Sequence, residues 1–273
     1  AVAAYRRALD YDPKHPSAPF NLALALERSG KRAEAVGILA QLGSVAPDVV
    51  RERARMDAML GGLEAERAMD LARVSTDPDL VLSIASGFRR VGELEKALAL
   101  LDRAVELAPG TATLRLNRGA LRQSMGRISE ASADYEEALR LDPLLGEAQF
   151  NLGVLSEDRG QYVGALEHYR AALKADPLLA CAHNNIGALY LKVGQAAKAV
   201  DCFRRCRELD DSFGPARLNL AWAYLAMDLR GRALEELRQY QKEVPRELQD
   251  PDAARVLREL EAPKTPAGPG SSH

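Results

Sequence analysis

Apolar residues recur along the chain at helical spacing in segments of about a dozen residues, each segment bounded by a turn-forming residue. Ala148 to Arg159 and Tyr162 to Ala175 form one such pair, divided by Gly160. The spacing predicts two helices, and the pair repeats. Proline stands at 109, 143, 177 and 245, with Asp211 in the remaining slot of that 34-residue series. Pro13 and Pro47 keep the same interval. Glycine returns at 92, 126, 160 and 194, and alanine at 97, 131, 165, 199 and 233. A further small-residue series runs Ala85, Gly119, Gly153, Gly187, Ala221. Several series sharing one interval mean that the chain is built from stacked two-helix units.

Each series has a mechanical reason. Glycine between the helices takes the left-handed conformation that ends a helix without a Cβ clash. Proline lacks an N–H and restricts the residue before it, so it stops the second helix and opens the next unit. Small residues such as Gly153 and Ala165 let paired helices approach, while Tyr135, Tyr169 and Phe203 supply bulk. A single helix pair cannot bury its own apolar face, so stability comes from stacking.

Read together, Gln149-Phe150-Asn151-Leu152-Gly153, Gly160-Gln161-Tyr162, Ala165, Tyr169, Ala172 and Asp176-Pro177 resemble the tetratricopeptide repeat almost position for position. The resemblance covers nearly the whole chain and implies an all-α, right-handed superhelical solenoid of antiparallel helix pairs. Residues 1–15 match the second half of a truncated repeat and 16–247 the solenoid, with units at 16–49, 78–111, 112–145, 146–179, 180–213 and 214–247. The unit near 50–77 is abbreviated, because Pro47 and Pro109 lie 62 residues apart; its turn is placed at Gly61-Gly62, and it either stacks as a degenerate repeat or acts as a hinge. Asp211 for proline, and Cys206 and Tyr240 at small-residue positions, make packing less regular towards the C-terminal end. Residues 248–262 have helical period without a partner and are expected to form a capping helix. The Pro-, Gly- and Ser-rich 263–273 is expected to be a disordered tail carrying a tag remnant, and the mid-repeat start is expected of a piece of a longer chain.

Charge changes the functional picture mainly by exclusion. Thirty-seven Lys and Arg against thirty-nine Asp and Glu leave no basic excess for nucleic acid or an anionic membrane. No apolar run approaches the roughly 18 residues that span a bilayer, so no membrane insertion is expected. Three cysteines argue against a disulfide framework and for a reducing, cytoplasmic compartment. His15, His168, His183 and His273 are scattered; Cys181 and His183 diverge on a helix, and Cys202 and Cys206 share a face without a second pair to complete a metal site. Phosphate-cradling loops, nucleophile elbows and His-Glu-x-x-His are absent from the sequence. The expectation is a non-catalytic chain with no cofactor and no metal.

The resemblance further implies that the first helix of each repeat lines a concave groove. Asn21, Asn117, Asn151, Asn185 and Asn219 then share one groove position, the last four in an unbroken 34-residue series. They resemble the asparagine ladder of the O-linked N-acetylglucosamine transferase superhelix, where amides grip an extended peptide. An asparagine offers one donor group and one acceptor, which matches a peptide unit, yet it can equally bond within the scaffold. Leu116, Phe150, Val154, Asn184, Leu218 and Trp222 also map to the groove, and Trp222 is open to being covered by the helix at 248–262. Arg89 and Arg90 stand towards one end and Glu147, Glu157 and Asp158 further on, a polarity that would fix a ligand's direction. The lysines of a chaperone-tail carboxylate clamp are missing from the matching positions. The expected partner is a protein or peptide segment, with self-association open. A recognition arm of a larger enzyme, of glycosyltransferase type, is the alternative role.

Overall fold

The computed structural model describes residues 1–12, 18–41, 47–245, 247 and 249–262. The expected tail at 263–273, His15 and His273 lie outside the described residues. The sixteen helices among the described residues come without a strand, and none is long and apolar enough to cross a membrane. The chain divides into two compact units, Ala1–Pro143 and Leu144–His273.

The N-terminal unit holds α1 (Val2–Tyr11), α2 (Ala18–Arg28), α3 (Arg32–Gln41), α4 (Pro47–Leu60), α5 (Gly62–Val74), α6 (Pro78–Arg90), α7 (Leu94–Leu107), α8 (Ala112–Ser124) and α9 (Ile128–Leu141). The C-terminal unit holds α10 (Gly146–Asp158), α11 (Tyr162–Ala175), α12 (Ala180–Lys192), α13 (Ala196–Leu209), α14 (Gly214–Ala226), α15 (Arg230–Glu243) and α16 (Pro251–Glu261). Within each unit the pairs α6/α7, α8/α9, α10/α11, α12/α13 and α14/α15 make the largest interfaces, joined by short turns. Those turns close with one repeated pattern. Gln161 N–H donates across the turn to Ser156 at 2.8 Å while Gly160 sits at φ +72°. Gly126 and Gly194 repeat it at φ +75°.

The small-residue series marks where backbone meets ring. A Cβ on Gly153 would stand 2.5 Å from Tyr169 Cε1, on Gly119 2.8 Å from Tyr135 Cε1, and on Gly187 2.6 Å from Phe203 Cε1. All three rings are fully buried. The pairs α8/α9, α10/α11 and α12/α13 are therefore each keyed by an aromatic ring seated on a glycine of the first helix.

The expected abbreviation near 50–77 takes a different form. Both helices are full length, at 14 and 13 residues, and only Gly61 separates them. Pro47 opens α4 rather than closing the unit before it, since a first helical residue needs no N–H and already has the right φ. The missing residues come out of the connections. One consequence is that α4 packs against α6 more extensively than against α5, its sequence neighbour. Gly87 makes that approach possible, because a Cβ there would lie 2.3 Å from the Arg55 carbonyl oxygen. The helix α5, left to the side, buries only Ala65, Ala68 and Ala72. It flanks a cleft of about 720 Å³ lined by Met59, Leu60, Met69, Phe88 and Val91.

At the other end, α16 occupies the segment expected to cap the stack. Asp250 accepts from the Asp252 and Ala253 N–H groups, and Ala253 and Leu257 face inward. Asp211, standing where the proline series lapses, pairs instead with Arg207 at 3.0 Å and Arg217 at 3.2 Å.

Candidate functional site

The asparagine series falls on the first helices of successive pairs: Asn117 on α8, Asn151 on α10, Asn185 on α12 and Asn219 on α14. All four are half-buried, but their surroundings differ. Asn117 Nδ2 donates to the Thr113 carbonyl of its own helix at 2.8 Å. Asn151 has no hydrogen-bond partner among the described residues. Asn185 and Asn219 belong to a chain of bonds across the C-terminal unit. Asn219 Nδ2 donates to Asn184 Oδ1 at 2.9 Å, Asn184 Nδ2 to Asn185 Oδ1 at 3.2 Å, and Asn185 Nδ2 to the Tyr169 hydroxyl at 3.1 Å. Tyr169 donates to Glu157 Oε2 at 3.0 Å, and Lys192 Nζ donates to Glu157 Oε1 at 2.7 Å. One continuous path thus ties α14, α12, α11 and α10.

Two residues expected on an open groove are buried instead. Asn184 is only 7% exposed, because its amide is held between Asn185 and Asn219. Leu116 is also 7% exposed, drawn into the packing of α8 rather than left on its surface. Phe150 and Val154 stay half-exposed while packing on the cluster of Ala165, Tyr169, Ile186 and Leu189, with the Phe150 and Tyr169 ring centroids 5.5 Å apart. Leu218 and Trp222 pack against the cluster that contains Ala253 and Leu257 of α16, so Trp222 is half-buried there. In the N-terminal unit Arg89 and Arg90 are exposed at the end of α6. Arg90 reaches back to the buried carboxylate of Glu27 at 2.9 Å, and Arg55 approaches the same carboxylate at 3.7 Å.

Tyr135 and Tyr169, expected from the sequence to supply bulk, do more than pack. Their hydroxyls also bond the residue twelve positions earlier, Tyr135 to Gln123 at 2.7 Å and Tyr169 to Glu157. Burial pushes the Tyr135 phenol up to about 12 and raises that of Tyr169 as well, so both remain protonated donors. A signal for this was present in the repeat itself. Where the ring is Phe203, with no hydroxyl, the residue twelve earlier is the apolar Leu191.

The thiols have no constellation around them. All three cysteines are free, and burial is the first cause raising each thiol, Cys206 to about 11. Burial likewise holds the His183 imidazole below its ordinary value. Among the described residues no group of three His, Cys, Asp or Glu side chains is placed to hold a metal ion.

Models of the tetratricopeptide repeat match residues 1–60, 118–180 and 182–213. No curated protein matches the chain. Among solved structures, the APC/C hetero-tetramer Cut9–Hcn1 contains a chain that is 20% identical, with a TM-score of 0.66 over 96% of this chain and 52% of that one. PilF of Pseudomonas aeruginosa is 19% identical, with a TM-score of 0.60 over 70% of this chain and 88% of its own. YrrB, described as a TPR protein with an unusual peptide-binding site, is 25% identical, with a TM-score of 0.52 over 70% of this chain and 96% of its own.

Proposed function

The chain belongs to the tetratricopeptide repeat family, whose fold serves protein-interaction scaffolds, and on that premise we propose that it binds an extended protein segment along the first helices of its repeats. The observation that carries this reading is the wall of α10, α12 and α14. Asn151, Asn185 and Asn219 recur there at one register, the Asn151 amide has no hydrogen-bond partner among the described residues, and Phe150 and Val154 stand half-exposed beside it. Amides at a repeating interval suit a peptide backbone, and the apolar pair beside them suits its side chains. YrrB, similar in fold, is described as peptide-binding. Among the described residues the thiols, raised by burial, and the separated His168 and His183 offer no activated nucleophile, which favours a scaffold over a catalyst.

The test uses peptides recovered by panning a random decapeptide library on the full chain. Replacing Asn151 by Ala is expected to weaken binding roughly two- to tenfold, the worth of one net hydrogen bond, and to leave the melting temperature unchanged. Asn185→Ala and Asn219→Ala are expected to weaken binding and also to lower the melting temperature, since each breaks a scaffold bond. The combined variant lacking Asn151, Asn185 and Asn219 should lose most affinity for peptides of unrelated sequence. Unchanged affinity in that variant would reject the reading.

A further inference from the structure

The hydrogen bonds of the C-terminal wall run in one direction, and the direction is imposed from one end. As a carboxylate, Glu157 has no proton to give and can only accept. Lys192 Nζ donates to its Oε1 at 2.7 Å, and the Tyr169 hydroxyl donates to Oε2 at 3.0 Å. With its only proton committed, Tyr169 can meet Asn185 only as an acceptor. Asn185 therefore turns Nδ2 towards the hydroxyl at 3.1 Å and Oδ1 towards Asn184. Asn184 must then donate to Asn185 through Nδ2 and present Oδ1 to Asn219, whose Nδ2 donates at 2.9 Å. The remaining end is Asn219 Oδ1, which has no hydrogen-bond partner among the described residues.

We infer that Glu157, acting through Tyr169 and the buried Asn184, leaves Asn219 Oδ1 as the unbonded acceptor at the end of the path, so that a bound segment supplies a backbone N–H to it. The inference rests on the binding reading above for its partner, but not for the ordering itself. Glu157 and Asn184 are positioning residues, because each sets the orientation of an amide that neither shares with the partner. Burial of Asn184 strengthens the constraint, since an amide with little access to water cannot exchange its bonds for solvent.

Replacing one atom should reverse the path. In Glu157→Gln the side chain keeps a single oxygen, and Lys192, a donor only, holds it. The new NH₂ then faces Tyr169 and donates to the hydroxyl, whose proton turns to Asn185 Oδ1. Asn185 Nδ2 now donates to Asn184 Oδ1, and Asn184 Nδ2 to Asn219 Oδ1. The wall then ends on an unbonded NH₂ with Asn219 Oδ1 occupied, so Asn219 loses the free acceptor that it offers in the parent chain.

Side-chain amide exchange on the ¹⁵N-labelled full chain reads this without any partner. In the parent chain the Asn219 amide protons are expected to exchange more slowly than those of Asn151, which has no bond to protect it. In Glu157→Gln, Asn219 exchange should rise by roughly two- to tenfold, the protection given by one net hydrogen bond, while Asn184, a donor in both arrangements, stays unchanged. In a Tyr169→Phe background, which keeps the buried ring and removes the relay, Glu157→Gln should have no effect on Asn219. Unchanged Asn219 exchange in Glu157→Gln with a native backbone spectrum overturns the inference. So does a rise matched by the backbone amides of α14, which would be general loosening. Loss of the binding reading looks different: the wall would still reverse, while the combined Asn→Ala variant bound the selected peptides as tightly as the parent.

Discussion

At the residue scale, the three ring-on-glycine contacts show how one missing atom sets the distance between helices. Glycine in a helix interior ordinarily costs about 0.5–1 kcal/mol relative to alanine, so Gly→Ala is favourable wherever space allows. Gly164 on α11 is such a place, with no neighbouring atom within 4 Å of a built Cβ. Gly153 is not, because its Cβ would overlap a ring that is itself fully buried and cannot retreat. Gly164→Ala is therefore expected to raise stability by about 0.5–1 kcal/mol. Gly153→Ala is expected to lower it by about 1–3 kcal/mol through overpacking. Urea melts of the two variants check both signs, and a Gly153→Ala chain as stable as the parent would mean that the ring shifts freely. The same contact gives Tyr169 its second role, since the ring seated on Gly153 places its hydroxyl between Glu157 and Asn185.

At the element scale, the turn within each pair from α6/α7 to α14/α15 depends on one residue at positive φ. Gly92, Gly126, Gly160 and Gly194 take it at +72° to +85°, and the next slot in the series is filled by Asp228 at +56°. A side chain in the left-handed region is strained, though less for Asp than for most residues. Asp228→Gly is expected to stabilise the chain by up to about 1 kcal/mol, less a few tenths for the freer unfolded state, while Gly160→Ala should destabilise it by about 1–2 kcal/mol. Thermal melts that move both variants the same way would reject that account. The helix pairs and their turns were legible in the sequence because backbone conformation dictates residue type at glycine and proline, and the 34-residue interval repeats the instruction. The role of Pro47 was not legible, since a proline after a helix and a proline opening one look alike in sequence. Burial of Leu116 and Asn184 was equally hidden, because a position shared across repeats does not report how closely the neighbouring helices cover it. The asparagine series could be read, but not the direction of its bonds, which depends on Glu157 and Tyr169 lying on other helices.

At the scale of the whole molecule, each repeat touches little beyond its neighbours, so stability is close to a sum of local terms and can be lowest where one term is poor. The N-terminal unit has such a place at α5. Its buried residues are alanines alone, Leu63 and Val74 on its surface are 67% and 77% exposed, and α6 packs on α4 far more extensively than on α5. By contrast α7, in the same unit, buries Leu98, Leu100, Leu101 and Val105 along with two alanines. Each fully buried leucine is worth about 1.5–3 kcal/mol, so opening α5 locally should cost several kcal/mol less than opening α7. Backbone amides of α5 are accordingly expected to exchange through local opening, with protection lower than that of α7 by roughly a hundredfold or more. Filling the flank should narrow the gap: Ala65→Leu adds apolar volume beside the cleft lined by Met59, Met69 and Phe88, where room exists for it. Native-state hydrogen exchange resolved by helix decides the matter. Equal protection of α5 and α7 would mean that the unit opens only as a whole, and that the displaced helix is as firmly held as the regular ones.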